Sequence, residues 1–278
     1  MLTTYRAFVG AATVFLMSCA HAQVQTQTPL RAAEFKPPEE ASIPAGPRGI
    51  AIQEGRKLLT ETYQRLPKNV GNGLTCANCH LAAGTTPHAS PWVGIWGVFP
   101  EYRARSGKIN SLQERVNDCF ERSMNGKALA YNSVEMNNIL AYMQWLSTDV
   151  PTGMNVNGRG FGPIDRKLTA NVNHGKEVYT ATCASCHGAD GLGIKNPDGG
   201  YAFPPLWGKY SFNDGAGMAR TFTAAAFVKH NMPLGKSGSL TDQEAVDVAE
   251  YFTHQARPVY AGKAKDWPKG DKPADARN

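Results

Sequence analysis

Two five-residue stretches decide the fold of this chain: Cys76-Ala77-Asn78-Cys79-His80 and Cys183-Ala184-Ser185-Cys186-His187. Both have the pattern C-x-x-C-H, which is typical of covalent haem c attachment. Two thiols on one short turn reach the two vinyl groups of a porphyrin, and the adjacent imidazole binds the iron. A single C-x-x-C pattern is also compatible with a zinc or redox site. Two copies, each followed by histidine, favour two covalently attached haem c groups with His80 and His187 as iron ligands.

The two motifs lie about a hundred residues apart and have similar flanks, which indicates an internal repeat. In each half, a helix precedes the motif, and a long loop and a closing helix follow it. The expected helices cover residues 50–66 and 133–146 in the first half, and 174–179 and 240–252 in the second. Ser133 is the expected N-cap of the first closing helix, and Thr241 with Glu244 predicts a capping box in the second.

The N-terminus has the features of a secretory signal peptide. Residues 1–22 contain one basic residue, Arg6, then an apolar run of eleven residues and a small-x-small ending at Ala22. A membrane-spanning helix needs about 20 apolar residues, so we expect export to the periplasm and no transmembrane segment. The alternative is a lipoprotein anchored through Cys19.

Composition and charge restrict the class of protein. The chain has 278 residues, of which 42% are hydrophobic and 19% charged, and this balance indicates a globular protein. The net charge of +6 falls to +5 if Arg6 is removed with the signal peptide. The four propionates of two haems would lower it to about +1, so the basic balance does not indicate a nucleic-acid partner.

Each half resembles a small single-haem cytochrome c domain, in which the last helix packs across the first beside the haem. The resemblance implies an all-α protein with two tandem cytochrome c-type domains, each with one covalently bound haem, joined by a Gly/Pro-rich linker. The predicted segments are a signal peptide (1–22), an N-terminal arm (23–47), domain 1 (48–148), the linker (149–168), domain 2 (169–255) and a C-terminal arm (256–278). The arms are polar and contain proline, so we expect them to be extended over the surface or disordered.

The sixth ligand of the second haem is expected to be Met232. This residue precedes Pro233 and the second closing helix, where single-haem cytochromes c place their distal methionine. Thioether ligation raises the haem potential, which suits an electron-exit haem. Alternatives are a packing role for Met232 and ligation by a competitor. The competitors are Met218, His230, His254 and Lys209.

The first half contains one cysteine without an assigned role. Of the six cysteines, four belong to the haem motifs and Cys19 lies in the signal peptide, which leaves Cys119. A free thiol in an oxidising compartment is expected to be buried, paired or functional, and no thiol remains to pair with this one. Met124 lies near the position of a methionine ligand. Cys119 is therefore either a structural cysteine beside a Met124-ligated haem, or itself an iron ligand.

The sequence around Cys119 contains several arginines. Residues 101–127 include six basic and four acidic side chains. This excess is small and would also fit a solvated helix face. Guanidinium groups close to the sulfur would nevertheless favour thiolate ligation and bind an oxyanion.

A more specific resemblance extends this interpretation. The run Arg115-Val116-Asn117-Asp118-Cys119-Phe120-Glu121-Arg122-Ser123-Met124-Asn125-Gly126, with Tyr102-Arg103-Ala104-Arg105-Ser106-Gly107 before it, resembles the dihaem thiosulfate dehydrogenases. Members of this family form tetrathionate from two thiosulfates, and some run as tetrathionate reductases. The resemblance covers residues 50–252, and Asn-Asp-Cys-Phe-Glu-Arg-Ser is its most specific part.

This resemblance implies a role for each candidate site residue. It implies His80 and Cys119 as the iron ligands of haem 1, the active site, and His187 with Met232 as those of haem 2, which passes electrons on. Residues expected to line an anion pocket are Arg105, Arg115 and Ser123. Some relatives have a lysine just before the haem 2 methionine, where this chain has Asn231, so Lys209 and Lys229 are the remaining lysine competitors for that iron.

The implied activity is that of an exported thiosulfate dehydrogenase or tetrathionate reductase. The implied electron acceptor is a soluble protein, such as a cytochrome c or a high-potential iron–sulfur protein. Two alternatives remain. One is a non-enzymatic dihaem electron carrier, and the other is a thiosulfate-conjugating cytochrome of the sulfur-oxidation pathway.

Overall fold

Helices dominate residues 32–277, the part of the chain that the computed structural model describes. The predicted signal peptide and Cys19 lie outside the described residues. The numbered α-helices are α1 (Pro47–Thr60), α2 (Thr62–Arg65), α3 (Leu112–Asp118), α4 (Val134–Trp145), α5 (Val172–Val178), α6 (Ala184–His187), α7 (Thr221–Asn231) and α8 (Asp242–Thr253). A further four-residue turn, Leu81–Gly84, follows the first haem motif and is not numbered, because Ala82 and Ala83 have left-handed backbone angles. Two short antiparallel hairpins pair β1 (Glu101–Arg103) with β2 (Lys108–Asn110) and β3 (Ile194–Lys195) with β4 (Tyr201–Phe203). The predicted all-α class is confirmed, and no helix within residues 32–277 is long and apolar enough to cross a bilayer.

The first domain is built on the crossing of α1 and α4. Ser133 caps α4 as predicted, with its side chain accepting from the backbone N–H of Met136. Apolar residues of both helices enter one core, among them Ile52, Leu59, Met136 and Ile139. Burial of these side chains supplies most of the stability of such short helices.

The single helix expected over residues 50–66 is divided in two. Glu61 has φ −121° and ψ 33°, outside the helical region. The adjacent Thr62 hydroxyl donates to the carbonyl oxygen of Leu59 at 3.2 Å and accepts from the backbone N–H of Cys76 at 3.1 Å. Hydroxyl side chains that bond to backbone groups compete with the helix. The break therefore gives the first haem motif a hydrogen-bond partner.

The second domain repeats this plan with α5 and α8. The predicted capping box is confirmed, because Thr241 accepts from the backbone N–H of Glu244, whose side chain accepts from that of Thr241. The helices cross where Gly175 faces the backbone of Asp247, and a Cβ at Gly175 would overlap the Asp247 carbonyl oxygen. Gly55 of α1 meets Asn138 of α4 in the same way. Each domain therefore has a glycine where its first and last helices cross, and this similarity supports the internal repeat.

Gly175→Ala is expected to destabilise the second domain. The new methyl group must push α5 away from α8, and overpacking of this kind costs about 1–3 kcal/mol. Urea unfolding of the haem-loaded protein measures this change. Gly217→Ala is the control, since nothing lies within 4 Å of a Cβ there and its φ is ordinary. Equal stability of the two variants would contradict the close crossing.

The linker and both arms pack on the domains. Ala33 forms a β-bridge with Val156 of the linker. In the C-terminal arm, Trp267 is buried and its backbone N–H donates to the carbonyl oxygen of Arg105 at 2.7 Å. Asp266 forms an ion pair with Arg122, also from the first domain. The arm therefore runs along the first domain, although it follows the second in sequence.

Candidate active site

The first haem motif is held by the loop that follows it. The His80 ring Nδ1 donates to the carbonyl oxygen of Ser90 at 2.6 Å. The same ring stacks on Trp92 with centroids 4.6 Å apart. Because a carbonyl oxygen can only accept, the proton lies on Nδ1, and Nε2 keeps a lone pair for a metal.

The surroundings of this motif fit a haem. Burial lowers the pKa of His80 to about 4, with a smaller contribution from the charge of Arg115, so the imidazole is neutral at physiological pH. Neutral imidazole is the form that binds iron. Cys76, Cys79 and His80 line one crevice, which is mostly apolar. Two thiols and a free imidazole nitrogen at such a crevice match the chemistry of covalent haem c attachment.

The second motif has the same design. Cys183 ends a π-helical turn, Tyr179–Cys183, and α6 carries the motif on to His187. The His187 Nδ1 donates to the carbonyl oxygen of Pro204 at 2.8 Å, which again leaves Nε2 available. Burial lowers the pKa of His187 and favours its neutral form. This site also fits a haem.

Met232 lies at the C-terminal end of α7, beside the second core. Its side chain is partly buried and packs against the same apolar cluster as Cys183. Asn231, just before it, is 4% exposed and donates to the carbonyl oxygens of His88 at 3.0 Å and Phe227 at 3.1 Å. Asn231, the neighbour of Met232, therefore bonds to the loop that also holds His80.

Most competitors for the second iron have other partners. His230 bonds the carbonyl oxygen of Pro163 at 2.8 Å, and His254 bonds that of Glu250 at 3.0 Å. Lys229 donates to the Leu240 carbonyl oxygen and lies 3.4 Å from the Asp242 carboxylate. Lys209 lies over the exposed ring of Tyr210. Met218 packs on the second core and also lines the cavity described below.

Cys119 begins a π-helical turn, Cys119–Ser123, at the end of α3. Turns of this kind inside helices are frequent at functional sites. Arg115 lies one helical turn earlier, and its Nη1 donates to the Cys119 Sγ at 3.1 Å. The electrostatic interaction with Cys119 is the main cause of the raised pKa of Arg115, against the effect of burial. The two side chains therefore form a guanidinium–sulfur pair.

A cavity of about 800 Å³ brings the predicted site residues together. Its lining includes the four residues expected at the active site, Cys119, Arg105, Arg115 and Ser123, together with His80. Met124 lines the narrower haem crevice beside Cys119 and His80. Besides the two cysteines of the haem motif, three sulfur-containing side chains line this crevice, those of Cys119, Met124 and Met143.

Arg105 is held rigidly in the wall of this cavity. Its Nη1 donates to the carbonyl oxygen of Gly215 at 2.6 Å, and its guanidinium lies 5.0 Å from the centre of the Trp267 ring. Burial lowers the pKa of Arg105 to about 10, and the charges of Arg122 and Arg220 contribute to the decrease. Arg105 remains cationic at neutral pH and is oriented by contacts from distant parts of the chain.

Other parts of the chain complete the cavity, and no motif in the sequence predicts this. Its lining includes Arg220 from the second domain and Tyr260, Asp266 and Trp267 from the C-terminal arm. Asp266 binds Arg122 through two hydrogen bonds of 2.8 Å, across 144 residues of sequence. No local sequence signal marks such a partner.

Family models match both halves of the chain. A SoxA/TsdA cytochrome c domain matches residues 63–152, and a cytochrome c domain matches residues 172–256. These matches confirm the two-domain cytochrome fold.

Characterised relatives cover most of the chain. A thiosulfate dehydrogenase of Psychrobacter arcticus is 51% identical over 87% of this chain and 74% of its own length. A thiosulfate dehydrogenase of Allochromatium vinosum is 48% identical over 80% of this chain and 84% of its own length. A solved structure, thiosulfate dehydrogenase (TsdBA) from Marichromatium purpuratum, is 39% identical with a TM-score of 0.77. That match covers 81% of this chain and 50% of the solved chain.

Proposed function

The chain belongs to the thiosulfate dehydrogenase family, and from this premise we propose that it is an exported dihaem cytochrome c oxidoreductase that oxidises two thiosulfate ions to one tetrathionate ion. One contact carries the proposal, the 3.1 Å hydrogen bond from Arg115 to the Cys119 sulfur. It lies in a cavity that His80 also lines. A guanidinium stabilises thiolate, which is the nucleophilic form of cysteine.

Charge explains how the cavity can take the substrate. Two thiosulfate dianions repel each other when they approach, and the repulsion increases where water is excluded. Arg105 and Arg115 offset this charge, and their planar guanidinium groups suit oxyanions. The Ser123 hydroxyl is available as a further donor.

Cys119 takes part in one of two ways. In the first, its thiolate forms an S–S bond with the outer sulfur of one thiosulfate, which releases two electrons and gives Cys119 S-thiosulfonate. The outer sulfur of a second thiosulfate then attacks the sulfane sulfur of that group, forms tetrathionate and releases the Cys119 thiolate. In the second, Cys119 would remain an electron-rich ligand of haem 1 while the outer sulfur atoms of two thiosulfates join directly and release two electrons. Both routes convert two thiosulfates into one tetrathionate and two electrons.

Each cofactor is assigned to a set of residues. Haem 1 is held by Cys76 and Cys79, with His80 and Cys119 as iron ligands. Haem 2 is held by Cys183 and Cys186, with His187 and Met232 as iron ligands. When bound, the haems supply one-electron acceptors for the two electrons that S–S bond formation releases.

The proposal extends to location and partner. The signal-like residues 1–22 support export to the periplasm, where haem c is attached. The electrons leave to a soluble acceptor such as a cytochrome c or a high-potential iron–sulfur protein. A suitable reductant would drive the same site in reverse, as a tetrathionate reductase.

An activity assay of the isolated haem-loaded protein tests this function. Thiosulfate with an artificial oxidant should yield tetrathionate, and tetrathionate with a reductant should yield thiosulfate. Turnover without any carrier protein would also argue against the thiosulfate-conjugating alternative. A protein that transfers electrons but is inactive in both directions would contradict the proposal.

A non-enzymatic electron carrier is the second candidate, and the position of Met124 in the haem 1 crevice favours it. In that case Met124 binds the first iron and Cys119 is structural. Electron paramagnetic resonance of the oxidised protein separates the two, because thiolate-ligated haem has a narrower spread of g-values than His/Met haem. A second His/Met signal in place of a thiolate signal would favour the carrier.

A further inference from the structure

Arg220 brings a charge from the second domain into the cavity that contains Cys119. It lies immediately before α7, and its side chain lines the cavity together with Gly217 and Met218 of the same segment. Arg220 therefore shares the lining of this cavity with Arg105 and Arg115 of the first domain. The resemblance to the family assigned it no role.

The guanidinium of Arg220 is poorly compensated by the residues that the structure describes. Its Nε is buried and has no hydrogen-bond partner, and Arg220 forms no ion pair among residues 32–277. Burial lowers its pKa, and the positive charges of Arg166 and Arg103 add to this effect while Asp275 opposes it. A buried cation with an unsatisfied donor is costly unless an anion compensates it.

The other guanidinium groups of this region differ in this respect. Arg115 bonds the sulfur of Cys119, and Arg122 has two hydrogen bonds to Asp266. Arg105 lies 4.0 Å from the Asp266 carboxylate, which Arg122 already engages. Arg105 and Arg220 line the same cavity, and the charge of Arg220 contributes to the lowered pKa of Arg105. Arg105 and Arg220 thus form a pair of cations with little compensation.

We propose that Arg220 and Arg105 form a second oxyanion subsite, which binds the sulfonate group lying farther from Cys119. In thiosulfate oxidation this is the sulfonate of the second thiosulfate, and in the reverse reaction it is the outer sulfonate of tetrathionate. The inference rests on the proposed function and adds to it. Tetrathionate carries a sulfonate at each end, so a second binding group is needed away from Cys119. The subsite therefore explains why an arginine of the second domain lines a cavity whose reactive sulfur belongs to the first domain.

A haem propionate is another oxyanion that could neutralise Arg220, so the experiment must distinguish the two sources. Binding is measured separately from turnover in haem-loaded protein with Cys119→Gly, in which no sulfur can react at that position. Tetrathionate is titrated into this protein by calorimetry, with and without Arg220→Gln. The midpoint potentials of both haems are measured for each protein.

Arg220→Gln is expected to weaken tetrathionate binding about ten- to a hundredfold, the usual effect of losing a charge-assisted hydrogen bond to a buried ion. Both haem potentials should be unchanged. The matched control is Arg166→Gln, which removes a nearby positive charge from a side chain that packs on Phe222 and is outside the cavity lining. It should change the dissociation constant less than about threefold, as expected for a screened charge.

Several results would overturn the subsite. An unchanged dissociation constant with a shifted haem potential would assign Arg220 to a propionate. Equal weakening by Arg166→Gln would show a general field effect. Should Arg220→Gln fail to fold, Arg220→Lys keeps the charge and must still weaken binding, since it loses the planar fork. Wild-type protein without turnover would contradict the proposed function alone, whereas active protein with unchanged binding in Arg220→Gln would contradict the subsite alone.

Discussion

Cys119→Gly is expected to abolish thiosulfate oxidation and tetrathionate reduction while both haems stay attached. The variant removes the sulfur that Arg115 contacts at 3.1 Å and leaves untouched the four cysteines that form thioether bonds. Loss of a nucleophile or iron ligand at a reacting centre typically lowers turnover by about 10³-fold or more. Steady-state assays in both directions measure the loss, and the pyridine haemochrome spectrum with intact mass measures haem content.

Met124→Leu provides the matched control for Cys119→Gly. It removes the sulfur of Met124, which also lines the haem 1 crevice, with little change in volume. Turnover within about threefold of wild type is expected, because a volume-conserving swap in a packed site has a small cost. Near wild-type activity in Cys119→Gly, or a large loss in Met124→Leu alone, would assign the catalytic and ligand role to the methionine instead.

Asp266→Ala is expected to destabilise the protein by about 3–5 kcal/mol, the usual result of removing one partner of a buried ion pair. The Arg122 and Asp266 side chains are only 10% and 4% exposed, so the buried Arg122 would keep only its longer pair of 3.3 Å with the more exposed Asp118. The change would also remove one of the contacts that hold the C-terminal arm in the cavity wall. Guanidinium chloride unfolding gives the free energy of unfolding, and the KM for thiosulfate reports the disturbed cavity.

Glu40→Ala is the control for the Asp266 variant. Glu40 pairs with Arg56 at 2.9 Å, but their side chains are 72% and 45% exposed. Exposed pairs of this kind contribute about 0–1 kcal/mol. A similar small loss in Asp266→Ala would mean that the arm does not depend on its ion pair.

The parts of the structure that the sequence predicted are those specified by short-range patterns. The C-x-x-C-H motifs, the Ser133 cap and the Thr241 capping box each depend on residues a few positions apart, and the structure has them where expected. The interruption at Glu61 was missed, because it depends on a hydrogen bond between Thr62 and Cys76 that no periodicity reveals.

The sequence predicts only part of the cavity lining, because the remaining residues reach the cavity from distant parts of the chain. Arg105, Arg115 and Ser123 belong to the segment that resembles the family, close to Cys119 in sequence. Asp266 and Arg220 reach the cavity through tertiary packing of the arm and of the second domain. Composition gives no sign of such contacts, and the polar, proline-containing arm was equally compatible with disorder.

The C-terminal arm also has a consequence for the order in which the protein matures. Chains are synthesised from their N-terminus and tend to fold in that order. Cys79 and Cys119 are therefore made well before Asp266 and Trp267, which line the same cavity. The last stretch of the chain therefore completes the cavity wall only after the rest of the lining has been made.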